Sequence, residues 1–155
     1  MSSCPFCDII NRTAPARVVF ETEHALAFFP LEPATPGHTM VVTKEHHETF
    51  LDVPDSLIPA LWQAVTDVGR ALKHVLHPEG MNVISSAGEA ATQTVFHVHV
   101  HLVPRWQGDA MGAIWPPKKP TPASTLESIA NAVRAYLKPS QAGAGSSRQS
   151  PAEAF

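Results

Sequence analysis

Three histidines in strict alternation constrain the fold of this chain more than any other feature of its sequence. Residues 94–105 read TVFHVHVHLVPR, so the histidines are His97, His99 and His101. The residues between them are apolar and β-branched, and period-2 alternation in such residues predicts a β-strand. Successive side chains of a strand point to opposite faces, so we expect the three imidazoles on one face and the apolar residues towards the core. Pro104 is expected to end this strand because it has no N–H for a central ladder.

A row of imidazoles predicts that this face of the strand has a catalytic or metal-binding role. Imidazole titrates near neutral pH, binds metal ions and can act as a nucleophile. The alternatives are an exposed strand face with unrelated histidines, or a tract that sequesters metal. Strict alternation within a good strand favours a functional face.

Length and charge restrict the class of protein. The 155 residues carry a formal net charge of −3, which fits one domain and argues against a protein that coats nucleic acid or a membrane surface. No apolar run reaches the roughly 18 residues of a membrane span. The first residues lack a basic region followed by an apolar one, so we expect no secretory signal and a cytoplasmic location. The predicted domain covers residues 1–138, and residues 139–155, rich in Ser, Ala, Gly and Gln, are predicted to be a disordered tail.

The remaining pattern predicts an α+β fold built on one antiparallel sheet. Besides the histidine strand, strands are predicted at residues 17–21, 24–29, 38–43 and 81–86. One long helix is predicted from Ser56 to Leu76, with Asp55 as its N-cap and an apolar stripe at helical spacing. A shorter helix follows a capping-box pattern formed by Ser124 and Glu127. This order of elements indicates a sheet of about five strands with the helices on one face.

A second group of residues has the spacing of a metal site. Cys4 and Cys7 are separated by two residues, and in a cytosolic chain such a pair is more often metal-binding or redox-active than a structural disulfide. His46 or His47, together with the first histidine of the row, would complete two thiolates and two imidazoles, a tetrahedral set suited to zinc. The alternative is that both cysteines are free thiols and that His46 is a surface residue.

The pattern His-φ-His-φ-His-φ-φ, in which φ is apolar, resembles the signature of the histidine-triad (HIT) superfamily of nucleotide hydrolases and transferases, in particular its bacterial zinc-containing Hint-like branch. The resemblance extends from Cys4 to Pro117. It implies a HIT-like α+β fold, a homodimer, and a structural zinc bound by Cys4, Cys7, His46 and His97. Four protein ligands would leave no open position for a substrate on that zinc.

The same resemblance implies roles for the other histidines. His99, the middle one, matches the family's nucleophile, which attacks the α-phosphorus of a nucleotide and forms a covalent nucleotidyl-histidine. Its other nitrogen is expected to donate to a main-chain carbonyl of the same strand, so that the attacking nitrogen is bare. His101 is expected to donate to a phosphate oxygen as charge develops. His38 matches a further active-site histidine that partners the triad.

Substrate contacts are implied at positions that match the family's pattern. They are Gln93 and Thr94 for the phosphate or leaving group, Ser86 for the phosphate, Glu32 for the ribose, and Trp115 near the active site. Three positions depart from the pattern: Pro30 stands where an Asp or Asn usually holds the ribose, Ser86 replaces an Asn, and Thr92 replaces a Gly. Glu32 is close enough in sequence to take over the ribose contact.

The predicted function is hydrolysis of a purine nucleoside 5′-phosphoramidate or a related nucleoside phosphoryl conjugate. Two alternatives remain: a dinucleoside-polyphosphate hydrolase or phosphorylase, and a catalytically idle HIT fold that binds a nucleotide or a partner. The intact row favours an enzyme, since a binding module has no need of three aligned imidazoles. Neither a nucleic-acid partner nor membrane contact is expected.

Overall fold

The structure, a computed structural model, describes the backbone of residues 4–143 and the side chains of residues 4–137. The chain divides into two compact units, one ending at Ile114 and one beginning at Trp115, and each is described by itself. Among the helices of the described residues, none combines the length and the apolar character needed to cross a membrane. One domain over residues 1–138 stays a prediction.

A five-stranded antiparallel sheet forms the first unit, as the sequence predicted. Its strands are β1 (Arg17–Glu21), β2 (Ala25–Phe29), β3 (Thr39–Thr43), β4 (Gly80–Ile84) and β5 (His99–Arg105). Their spatial order is β1-β2-β3-β5-β4, and every neighbouring pair is antiparallel. The histidine strand β5 therefore lies between β3 and the edge strand β4.

One face of the sheet is covered by the long helix α2 (Ile58–Leu76). Its buried residues, which pack on β2, β3 and β5, are Leu61, Ala64, Val65, Val68 and Leu72. Their spacing is that of one helix face, so the helix could be predicted from the sequence. Its start could not: the N-cap is Leu57, so the prediction of Asp55 as N-cap is wrong. A main-chain hydrogen bond of 2.8 Å from the Leu57 N–H to the Pro54 carbonyl precedes the helix in place of a side-chain cap.

The opposite face carries the histidines and a second apolar cluster. The short helix α1 (Pro5–Ile10) places Phe6 against Phe28 of β2, with ring centroids 5.5 Å apart. In the ladder between β3 and β5 the histidines pair with residues of the same cluster, His99 with Val42 and His101 with Met40. Helix α1 therefore covers the face opposite to α2, and the predicted placement of the long and the final helix on one face stays a prediction.

The histidine strand starts later and ends later than predicted. Its ladder begins at His99, and the residues before it belong to the connection from β4. It continues through Pro104, which pairs with Met81 of β4. The ladder with β3 stops at Thr39 opposite Leu102, so residue 104 has one neighbouring strand and tolerates its missing N–H. The prediction that Pro104 ends the strand is therefore wrong.

The second unit contains the helix α3 (Ala123–Gly143). Ser124 lies inside this helix, so it is not the N-cap of a capping box as predicted. The helix continues beyond residue 138, and residues 139–143 are helical where the sequence predicted the start of a disordered tail. The rest of the predicted tail, residues 144–155, lies outside the described residues.

Candidate active site and metal centre

Four side chains from three separate parts of the chain meet at the predicted metal site. Cys4 and Cys7 lie at the start of α1, His46 follows β3, and His97 precedes β5. Their ligand atoms all lie within 4.8 Å of one another. Cys4 Sγ and Cys7 Sγ are 3.4 and 3.6 Å from His97 Nδ1, and Cys7 Sγ is 3.3 Å from His46 Nδ1. Zinc bonds of about 2.3 Å to sulfur and about 2.0 Å to nitrogen place tetrahedral ligands roughly 3.5 Å apart, so the set fits zinc.

The surroundings of these side chains favour the forms that bind a metal ion. His97 Nε2 lies 2.8 Å from the Thr43 carbonyl oxygen, so this nitrogen carries the proton and Nδ1 presents its lone pair to the cysteines. Burial lowers the pKa of His97, which keeps the imidazole neutral. Burial, and then the neighbouring Cys4, raises the pKa of Cys7 to about 11. A divalent cation would offset this penalty on the thiolates.

His99 is held in one orientation by the main chain directly before its strand and by neighbouring side chains. Its Nδ1 lies 2.7 Å from the His97 carbonyl oxygen, which accepts the Nδ1 proton and leaves the lone pair of Nε2 free. The Ser85 hydroxyl donates to the His99 carbonyl at 2.9 Å, just beyond the end of the ladder between β4 and β5. The Phe6 ring contacts the His99 ring edge-on, with centroids 5.2 Å apart. With His99 only 6% exposed, these contacts fix which nitrogen is available.

His38 and His101 form a hydrogen-bonded pair whose tautomers follow from one main-chain donor. The Ala34 N–H donates to His38 Nδ1 at 3.0 Å, so the proton of a neutral His38 is on Nε2. That nitrogen donates to His101 Nδ1 at 2.8 Å, so the proton of His101 is on its Nε2. Burial, then the neighbouring His99 and His38, lowers the pKa of His101 to about 4, and burial lowers the pKa of His38. Both rings are therefore neutral at pH 7, and His101 is an N–H donor beside His99, with ring centroids 4.8 Å apart.

The predicted substrate-binding residues are spread over several parts of the chain. Gln93 is buried, and its amide is bonded to main-chain groups. Thr94 is exposed and Ser86 is partly buried, both in the connection between β4 and β5. Glu32 is exposed in the loop between β2 and β3, and Trp115 is exposed at the start of the second unit and is described with that unit alone. Their roles in substrate binding stay predictions.

Three contributors to this site were not predicted: Phe6, Ala34 and Ser85. Ala34 contributes a main-chain N–H, which its side-chain identity does not reveal. Ser85 adjoins the predicted Ser86, but only the end of the ladder shows which serine hydroxyl reaches the His99 carbonyl. Phe6 stands between the two cysteines, and that position was the one sequence signal for its contact with the histidines.

An apolar groove of about 490 Å³ lies on the other face of the sheet, between α2 and β1. Its lining includes Phe20, Val68 and Leu72, and Asp67 is the one titratable residue among the lining side chains. The sheet separates this groove from the histidines, so it takes no part in their chemistry.

Known proteins are similar to this chain in sequence. The model of the HIT domain family matches residues 11–108. The hit protein of Bacillus subtilis is 40% identical over 114 residues, which cover 73% of this chain and 79% of that protein. An Arabidopsis thaliana adenylylsulfatase is 29% identical over 112 residues, covering 72% of this chain and 57% of that protein.

A solved structure shares the fold of this chain. The crystal structure of a zinc-bound histidine triad family protein from Mycobacterium smegmatis superposes with a TM-score of 0.67 at 37% identity, covering 75% of this chain and 84% of that one. The fold, the row of histidines and the extent of the match agree with one another. This chain belongs to the HIT domain family.

Proposed function

We propose that this chain is a nucleotide hydrolase that cleaves purine nucleoside 5′-phosphoramidates, or related nucleoside phosphoryl conjugates, through a covalent nucleotidyl-His99. One observation carries the proposal: His99 Nδ1 donates to the His97 carbonyl oxygen, just before the strand, at 2.7 Å. In the neutral ring this contact places the proton on Nδ1 and the lone pair on Nε2, which is the tautomer that a nucleophile needs. Membership of the HIT domain family supports the same reaction class.

Two displacements at phosphorus account for the proposed reaction. In the first, the Nε2 lone pair of His99 bonds to the α-phosphorus, and the bond from phosphorus to the leaving nitrogen breaks. The leaving amine keeps the electron pair and takes up a proton. In the second, water attacks the same phosphorus and loses a proton, and the electron pair of the P–Nε2 bond returns to His99. The products are an amine and a nucleoside 5′-monophosphate.

His101 would stabilise the negative charge that develops on the phosphoryl oxygens. Its Nε2–H is the free end of a chain of donors that begins at the Ala34 N–H and passes through His38. Because burial keeps His101 neutral, it donates a hydrogen bond without giving up its proton. A fixed donor of this kind acts most strongly where water is excluded.

The leaving group distinguishes the candidate reactions. Attack at the α-phosphorus is the same step whether an amine, sulfate or a second nucleotide leaves. The resemblance to an adenylylsulfatase supports sulfate as a second candidate leaving group. Ribose contact by Glu32 is part of the proposal, because Pro30 offers no hydrogen-bonding side chain.

The test is rapid quenching of the wild-type protein with adenosine 5′-phosphoramidate, adenylyl sulfate and diadenosine tetraphosphate, each labelled at the α-phosphorus. We expect label trapped on His99 and fastest turnover with the phosphoramidate. His99→Asn should abolish both, while affinity for AMP stays within about tenfold, because ground-state affinity comes from other contacts. His74→Asn, at an exposed histidine near the end of α2, is the matched control. Near-normal turnover by His99→Asn, or no trapped label with any substrate, would favour a nucleotide-binding module without catalysis.

We further propose that Cys4, Cys7, His46 and His97 hold one structural zinc. The ion would join the start of α1, the segment after β3 and the approach to β5. Elemental analysis after chelator-free purification should find about one zinc per chain, and clearly less would contradict the proposal. Cys4→Ala should lower thermal stability more than turnover per folded molecule.

A homodimer is proposed as well, and it rests on the family resemblance and on the edge of the sheet. Strand β4 is an edge strand, and its Val83 is 49% exposed. Pairing with a second copy there would extend the sheet and cover that edge. Sedimentation at micromolar concentration should give a dimer, and a single species of monomer mass would rule it out. A cytoplasmic location also stays a proposal.

A further inference from the structure

The side chain of Gln93 is fully engaged by main-chain groups. It is 4% exposed, and its Oε1 accepts the Gly88 N–H at 2.7 Å. Its Nε2 donates to the carbonyl oxygens of Glu48 at 2.7 Å and Val95 at 3.1 Å. An amide has two N–H donors, so neither remains for a substrate phosphate.

These hydrogen bonds join the loop ahead of the nucleophile to the segment that carries His46. Glu48 lies two residues after His46, and the Val98 N–H donates to the His47 carbonyl at 2.6 Å in the same segment. A third hydrogen bond, from His97 Nε2 to the Thr43 carbonyl oxygen, joins the same two parts of the chain. The proposed ligands His46 and His97 therefore lie on two neighbouring segments of the chain, and Gln93 helps to hold these segments together.

The same amide also closes a strained loop. Thr92, directly before Gln93, has φ +67° and ψ 23°, the left-handed conformation that β-branched residues rarely adopt. The Gln93 N–H donates to the Gly88 carbonyl at 3.2 Å, so main chain and side chain of one residue both bind Gly88. A strained conformation persists where several contacts over-determine it.

We propose that Gln93 is a positioning residue that couples the metal-binding segment to the loop ahead of His99. The inference rests on the proposed zinc site and nucleophile, and it replaces the direct phosphate contact predicted for Gln93. Without the amide, His46 and His97 separate more readily. The His97 carbonyl that orients His99 is then held less firmly, so zinc retention and the chemical step weaken together.

Gln93→Met tests the coupling, because it keeps the length of the side chain and removes its donors and acceptor. We expect zinc release to a chromophoric chelator to be about tenfold faster or more, as for other groups that support metal ligands. The rate of nucleotidyl-His99 formation should fall, with affinity for AMP within about threefold of wild type. The matched control is Thr35→Val, which removes another buried side-chain donor, from Thr35 Oγ1 to the Pro104 carbonyl at 2.7 Å. It should lose stability without faster zinc release.

The outcomes separate this inference from failure of the proposed function. Zinc release and AMP binding need no turnover, so they report on Gln93 even if none of the substrates is cleaved. Weaker AMP binding with unchanged zinc release would assign Gln93 to the phosphate and overturn the coupling. A wild-type protein that holds no zinc would overturn it as well.

Amide hydrogen exchange on the wild-type protein gives a second test that needs no variant. Zinc should slow exchange of the Gly88 N–H, which Gln93 binds, more than exchange of the His38 N–H, which donates to Thr35 in a different loop. Equal slowing at Gly88 and His38 would be global stabilisation only and would overturn the inference.

Discussion

Thr92→Gly should stabilise the protein, although it removes a side chain. Thr92 is exposed and has φ +67°, and a left-handed conformation costs an ordinary residue roughly 1–2 kcal/mol. Glycine avoids that cost but loses more entropy on folding, roughly 0.4–1 kcal/mol. The difference leaves a net gain of about 0.5–1 kcal/mol. At roughly 2–4 °C per kcal/mol for a chain of this size, we expect Tm to rise by about 1–4 °C.

Two further variants of the same loop serve as controls in urea and thermal unfolding. Gly88→Ala tests the backbone alone, because Gly88 has φ +90° and no atom lies within 4 Å of an added Cβ. It should destabilise the protein by about 1 kcal/mol or more. Thr92→Ala keeps a Cβ in the left-handed conformation and should gain much less than Thr92→Gly. If Thr92→Gly were neutral and Gly88→Ala cost nothing, the loop would not hold these backbone angles and the reasoning would be refuted.

Other predictions concern pH and packing. Stability should fall as pH drops from about 6.5 to about 4, because the buried neutral His101, with its pKa lowered to about 4, takes up fewer protons than the unfolded chain in that window. The loss attributable to this group is on the order of 3 kcal/mol, and His101→Gln should flatten the profile measured by urea unfolding at each pH. Gly37→Ala should destabilise by about 2 kcal/mol or more, because φ is +81° and the new Cβ would overlap Leu76 Cδ1. Unchanged urea midpoints for Gly37→Ala would contradict that packing.

Periodicity predicted the elements of this fold better than their ends. The stripe of α2 and the alternation of β5 repeat over many residues, so each is specified many times. The N-cap at Asp55 and the strand end at Pro104 depended on single residues, and both were wrong. A helix start is decided by local main-chain bonds and a proline's fit by the number of neighbouring strands, and neither can be read from one residue type.

The same limit applies to the candidate site. The ligand set and a role for His38 beside the triad were predicted from the family resemblance, and the structure brings the four ligands together and pairs His38 with His101. The engagement of Gln93 was not predicted, since its partners are main-chain carbonyls contributed by Glu48 and Val95. Every residue type supplies such a carbonyl, so the sequence carries no signal for it.

The three imidazoles of one row differ in what their Nδ1 atoms contact, and this difference predicts how amide substitutions will behave. His97 Nδ1 faces the cysteines, His99 Nδ1 faces a carbonyl, and His101 Nδ1 faces His38. The amide of Gln can place an N–H near the position of a histidine Nε2, whereas the amide of Asn reaches only as far as Nδ1.

His101→Gln should therefore keep a donor for the phosphoryl oxygen and retain more activity than His101→Asn, which should lose about a hundredfold or more in rate. At His99 we expect both His99→Gln and His99→Asn to be inactive. Asn can keep the hydrogen bond to the His97 carbonyl, but neither amide has a lone pair that attacks phosphorus. Single-turnover kinetics with the labelled phosphoramidate measure all four variants. Equal losses for His101→Gln and His101→Asn would mean that the Nε2–H does not stabilise the reacting phosphoryl group, and His101 would then act only through its contact with His99.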